Sequence, residues 1–185
     1  MVKALIAASP LLHNRNVHMN KDAIRHLFEK VSFGAPEKAV GFVMWRIVGR
    51  YQREMDRALF AVDLTHLQFV LLALVAWAGR SGEAVTQIEL ARSGGIQPMQ
   101  VSQTIRVLES KKLLSRTRSS TDTRAKRVEV TSAGLKSLRD AMPIAIEIQR
   151  KLFGERGQPG GALLRTLRQV HSNMPEETER PADVL

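Results

Sequence analysis

At 185 residues with 44% hydrophobic content, the chain can bury one core with helices appended to it. The lack of cysteine excludes disulfides, thiolate metal sites and cysteine nucleophiles, and an aromatic content of 5% argues against a ring platform for stacking RNA bases. A net charge of +10 and a pI of about 10.7 point instead to a polyanionic partner.

Residues 1–34 read as an N-terminal arm. The apolar run in "MVKALIAASPLLHN" is short and broken by Pro10, so it reads as cytoplasmic chain and not as a secretion signal. Met19 offers a second candidate start. Residues 21–31 predict a short helix capped by Asn20, with Ile24, Leu27, Phe28 and Val31 on one face. "SFGAP" breaks it. From Glu37 to Leu59 apolar residues recur at helical spacing, which predicts a long amphipathic helix. "VDLT" ends that helix, and Thr65 is placed to cap the next, from His66 to about Ala78. This one is apolar nearly all round and therefore expected to be buried. Its apolar stretch, "FVLLALVAWAG" (69–79), is too short to span a membrane, which takes about 20 residues.

Thr86 followed by Glu89 reads as a capping box, so a helix is expected from about Gln87, with Ile88, Leu90 and Ala91 inward. "SGG" closes it. Gln97-Pro98 opens another helix that buries Val101, Ile105 and Leu108. Two short helices joined by a tight glycine turn form a helix-turn-helix. Strands are expected at 114–118 and 126–131 around "SSTDT", with Val128 and Val130 inward and Arg127 and Glu129 outward. Helix-turn-helix plus basic hairpin is a winged helix. From Lys111 to Arg127 there are seven cations and one acid, Asp122, a crowding that is tolerable if the partner supplies anions. Thr131 is then expected to cap a helix reaching about Phe153 and kinked at Pro143. "GERGQPGG" is a loop, residues 162–171 a last amphipathic helix, and 175–185 an acidic tail.

The order of elements and the residues together resemble the MarR/SlyA transcriptional regulators over about Glu37 to Met174. The wing "DTRAKRVEVTSAG" (122–134) is similar to the family's Asp-x-Arg-x-Lys…Thr-x-x-Gly pattern. "LTHLQFVLLAL" is similar to its second helix, and "IELARSGGIQPMQVSQTIRVLESKKLLSR" to its reading head. The resemblance implies a mainly α fold with a small β-hairpin wing. It also implies a homodimer whose terminal helices interlock, a pseudo-palindromic double-stranded DNA target, and a small aromatic or phenolic ligand between dimer body and reading lobe. The expected division is an arm (1–34), dimerisation and core helices (35–84), a winged helix-turn-helix lobe (85–131), and C-terminal dimerisation helices with the tail (132–185). Lys112 stands where the family usually has glycine, so a left-handed backbone is expected there at a cost of about 1 kcal/mol. Gln103 stands where some members carry arginine.

Opposite its apolar side, the reading helix carries Gln97, Met99, Gln100, Gln103, Thr104 and Arg106. Glutamine can pair with adenine and arginine with guanine in the major groove. Arg124 matches the family's minor-groove arginine. Arg116, Arg118, Lys126 and Arg127 are phosphate candidates, and Asp122 is expected to hold the turn in shape. Trp45, His66, Phe69 and Trp77 are the candidates for ligand contact. The five histidines lack metal-ligand spacing, and the chain has no phosphate loop, Rossmann glycine pattern or nucleophile elbow. No cofactor, metal, catalytic residue or membrane partner is therefore expected. The overall expectation is a cytoplasmic, nucleoid-associated repressor. The alternatives are a sequence-tolerant antagonist of silencing and a winged-helix protein-interaction module.

Overall fold

The computed structural model describes residues 21–30, 32–82, 85–118 and 126–175. Backbone contacts divide the chain into two compact units, Met1–Arg50 and Tyr51–Leu185.

In the first unit, α1 covers residues 21–30. Asn20 and Val31, its expected cap and last apolar residue, lie outside the described residues. A short 3-10 turn, Pro36–Lys38, precedes α2, Val40–Leu59. The periodicity from Glu37 therefore belongs to two elements. Ile24, Leu27 and Phe28 of α1, and Val40, Trp45 and Val48 of α2, are exposed.

The second unit holds the core. Its elements are the end of α2, α3 (His66–Ala78), β1 (Val85–Thr86), α4 (Gln87–Gly94), α5 (Pro98–Ser110), β2 (Leu114–Arg118), β3 (Lys126–Val130), α6 (Ser132–Phe153) and α7 (Ala162–Ser172). Met55, Leu59, Leu71, Leu72, Val101, Ile105 and Leu108 are fully buried together. Each such side chain contributes about 1.5–3 kcal/mol by leaving water.

The helix starts are set by local chemistry. The Thr65 hydroxyl accepts from the Gln68 backbone N–H while the Gln68 side chain accepts from the Thr65 N–H, closing a capping box on α3. Thr86 and Glu89 do the same for α4, the carboxylate accepting from the Thr86 N–H at 2.7 Å and from its hydroxyl at 2.8 Å. These bonds favour the ionised carboxyl, so Glu89 sits below the usual carboxylate range, with Arg127 and Arg92 adding smaller attractions. Ile88, expected inward, is 70% exposed; only Leu90 and Ala91 turn into the core from this short helix.

The sheet has three antiparallel strands in the order β1-β3-β2. β1 was not expected: two residues before a capping box carry too little pattern to stand out. Val85 lies opposite Val128, and Arg116 opposite Val128 on the other side. Val128 is fully buried and Val130 half-buried against the core, while Arg127 and Glu129 are exposed, as alternation predicts. β3 ends at Val130, one residue earlier than expected, because Thr131 caps α6. Its oxygen accepts from the Gly134 N–H at 3.0 Å and donates to the Lys112 carbonyl at 2.8 Å. The Thr131 N–H also reaches the Leu113 carbonyl at 3.1 Å. The spacing Thr-x-x-Gly follows directly. A Cβ on Gly134 would lie 2.1 Å from the Leu113 carbonyl oxygen, so the start of α6 can abut the wing only without a side chain. α6 continues through Pro143 to Phe153 without a break.

Candidate nucleic-acid interface

α5 meets the core with Val101, Thr104, Ile105 and Leu108. Pro98 occupies its first turn, where a missing N–H is harmless. Gln97, Met99, Gln100, Gln103 and Arg106 are exposed. Thr104 is not: at 9% exposure it belongs to the inner face, next to Ile105 and nearly one full turn from Val101. It was expected outward, and burial removes it from the surface available to a base.

Behind the helix, the hairpin pairs Arg118 with Lys126 and Thr117 with Arg127. Arg127 is exposed. Asp122 and Arg124, with the side chains of Arg118 and Lys126, lie outside what the structure describes. Arg116 departs from expectation. Its guanidinium lies 2.8 Å from the Glu109 carboxylate, and the side chain is 18% exposed. The contact is an ion pair by distance but not a well-aligned hydrogen bond, since the buried Nε and Nη2 have no hydrogen-bond partner among the described residues. Arg116 therefore ties β2 to α5 and does not stand free for a phosphate.

Lys111, counted in the basic cluster, is also engaged. Its ammonium donates to the Asp63 carbonyl at 2.5 Å and the Gln68 Oε1 at 3.2 Å, and it pairs with the Asp63 carboxylate at 3.0 Å. Spacing along the sequence could not reveal either tie, because the partners are 48 and 43 residues away. Lys112 has φ 61°, the left-handed backbone expected where the family has glycine. Asp63 shares that conformation at φ 55°.

The ligand candidates divide between the units, Trp45 in the first and His66, Phe69 and Trp77 in the second. Phe69 is buried in the core of the second unit, Trp77 is 65% exposed with the Arg80 guanidinium 3.8 Å over its ring, and Trp45 is exposed on the first unit. His66 is half-buried and stands edge-on to Tyr51, ring centroids 5.1 Å apart. Tyr51 in turn lies 5.6 Å from Phe153. Burial lowers the His66 pKa and the nearby Asp56 carboxylate raises it by less, so the ring is held below its ordinary value of 6.5. Tyr51 and Phe153 were not singled out from the sequence, where each is one apolar position in a helix. Among the described residues no three His, Asp or Glu side chains gather as a metal site, and no single helix is long and apolar enough to cross a membrane.

The family model for the transcriptional regulator SarA/Rot matches residues 58–141, which span α3 through the first half of α6. The HTH-type transcriptional regulator YdcH of Bacillus subtilis (strain 168) is 35% identical over 121 residues, 65% of this chain and 82% of that protein. The chain belongs to the MarR/SlyA family of winged helix-turn-helix transcriptional regulators. Solved structures agree in fold. CouR from Rhodococcus jostii RHA1, determined bound to p-coumaroyl-CoA, matches with a TM-score of 0.65 at 23% identity, over 80% of this chain and 99% of its own. The S. aureus MepR–DNA complex matches with a TM-score of 0.64 at 23% identity, over 74% and 98%. This MarR/SlyA member is thus a transcriptional regulator, and its family and relatives are not enzymes.

Proposed function

We propose that the regulator acts as a homodimer that binds a pseudo-palindromic double-stranded operator and represses by occupying it. The observation that carries this reading is the outward face of α5. Gln97, Gln100, Gln103 and Arg106 stand exposed on a helix whose other side is locked into the core. Glutamine suits adenine edges and arginine suits guanine, each good pair discriminating by about 1–3 kcal/mol. Arg118, Arg124, Lys126 and Arg127 serve as phosphate and minor-groove contacts, with Asp122 shaping the turn. Four such contacts per protomer make about eight per dimer, so log K against log salt should slope near about −7. MepR, of the same fold, was solved with DNA, which supports the choice of partner.

Dimerisation is supported by apolar surface left uncovered within each unit: Leu27 and Phe28 on α1, Val40 and Val48 on α2, Ile146 on α6, and Leu167 and Val170 on α7. Exposed apolar side chains repeated along several helices suit burial against a second copy of the chain. Modulation by a small aromatic or phenolic ligand is the remaining part of the proposal. Of the four expected contacts, His66 has the most suitable surroundings, a half-buried imidazole edge-on to Tyr51. CouR, solved with p-coumaroyl-CoA, supports ligand control in this fold.

Sedimentation and selection of bound DNA from a random pool test the proposal together. A species of twice 20.7 kDa that enriches an inverted repeat is expected. A monomer, or enrichment of nothing, refutes it.

A further inference from the structure

An ammonium has three donors. Lys111 donates two of them, to the Asp63 carbonyl (2.5 Å) and the Gln68 amide oxygen (3.2 Å), and its charge pairs with the Asp63 carboxylate at 3.0 Å. That amide oxygen also accepts the Thr65 N–H that closes the capping box of α3. The C-terminal end of α5 is therefore bonded to both the α2–α3 turn and the first turn of α3. Asp63 presents its carbonyl and carboxylate to one cation from a left-handed backbone, φ 55°, which a non-glycine residue adopts at some cost. With two hydrogen bonds donated, its charge paired with Asp63 and its side chain 25% exposed, Lys111 is engaged within the fold and not held out toward a phosphate.

We propose that Lys111 is a positioning residue for operator reading: it sets the angle at which α5 presents its N-terminal turn, without touching DNA. This rests on α5 being the reading helix. The physical case is leverage. α5 has 13 residues and is about 20 Å long, so a tilt of about 5° at its C-terminal end moves the first turn by about 1.6 Å. Hydrogen bonds to base edges work over about 2.7–3.2 Å, so such a shift loses them. The buried contacts of Val101, Ile105 and Leu108 hold the helix on the core but are not directional, and do not by themselves fix its tilt. Phosphate contacts, made by long flexible side chains on the wing, tolerate the same shift.

The test uses the full chain, the duplex enriched from the random pool and a scrambled duplex, titrated at several salt concentrations with a melting curve for each variant. Lys111→Met keeps the apolar stem and removes the three donors. The expected result is a fall of roughly tenfold or more in the ratio of enriched to scrambled affinity, the loss of about one base contact per half-site, with the salt slope unchanged. Asp63→Asn keeps the carbonyl, an acceptor oxygen and a residue at ease in left-handed backbone, and should give a smaller fall. If Lys111→Met weakens both duplexes alike and flattens the slope, Lys111 is a phosphate contact and the inference is overturned. If the ratio is unchanged, the clasp is only a stabilising tie, whatever the melting curve shows, and the inference is again overturned. Should Lys111→Met not fold, Asp63→Asn decides by the same ratio. If the wild type itself prefers neither duplex, the operator reading has failed, and that is visible before any variant is compared.

Discussion

At Gly134 a helix position prefers alanine by about 1 kcal/mol, yet a Cβ there would meet the Leu113 carbonyl at 2.1 Å. The clash is with backbone and cannot rotate away, so it outweighs the propensity. Gly134→Ala should destabilise by about 1–3 kcal/mol, a fall of several degrees in melting temperature for a chain of this size. A rise in melting temperature would show that the contact between α6 and the wing is looser than described. His66 gives a second test at this scale. Its folded pKa lies below 6.5, so between the two values the unfolded chain binds a proton that the folded chain does not. The contribution of His66 is therefore complete above about pH 6.5 and falls as pH drops below it, down to the folded pKa. Melting temperature plotted from pH 7.5 to 5.5 should decline less steeply in His66→Gln than in the wild type. Equal slopes would mean that the ring is solvated.

Among the elements, the three capped helices and α5 were legible in the sequence because their signals are local. Thr65, Thr86 and Thr131 each bond within three residues, and Pro98 needs no partner. The hairpin was legible from the alternation about Val128. What was not legible depends on contacts made between different elements. Arg116 and Lys111 counted as wing-region cations until Glu109, Asp63 and Gln68 were seen to hold them. Thr104 falls at the edge of the inner face, where a small polar residue gives no sign of which way it turns. Ile88 and Trp77 err in the opposite direction, being apolar but exposed, because apolar character alone does not fix a helix's orientation. The reading helix and wing should separate by salt. Gln103→Ala should relax preference at one position per half-site with the salt slope unchanged. Arg124→Ala and Arg127→Ala should each flatten the slope by about 2 per dimer and weaken both cognate and scrambled DNA. A flattened slope for Gln103→Ala, or an unchanged one for both arginine variants, would reverse those assignments.

On the scale of the whole molecule, a chain with net charge +10 and apolar surface exposed on its terminal helices has two requirements, an anion and an apolar partner. The proposed two-fold dimer on a duplex satisfies both, and on that proposal the spacing of the DNA target is a property of the protein. Paired reading helices related by a two-fold axis reach half-sites whose centres are about 10–10.5 base pairs apart, or a multiple of that. Selection of bound duplexes from a random pool measures this directly. The expected result is an inverted repeat at one fixed spacing, with A·T pairs at the positions facing Gln100 and Gln103. Enrichment of a single unrepeated half-site, of repeats without fixed spacing, or of no sequence at all would contradict the account.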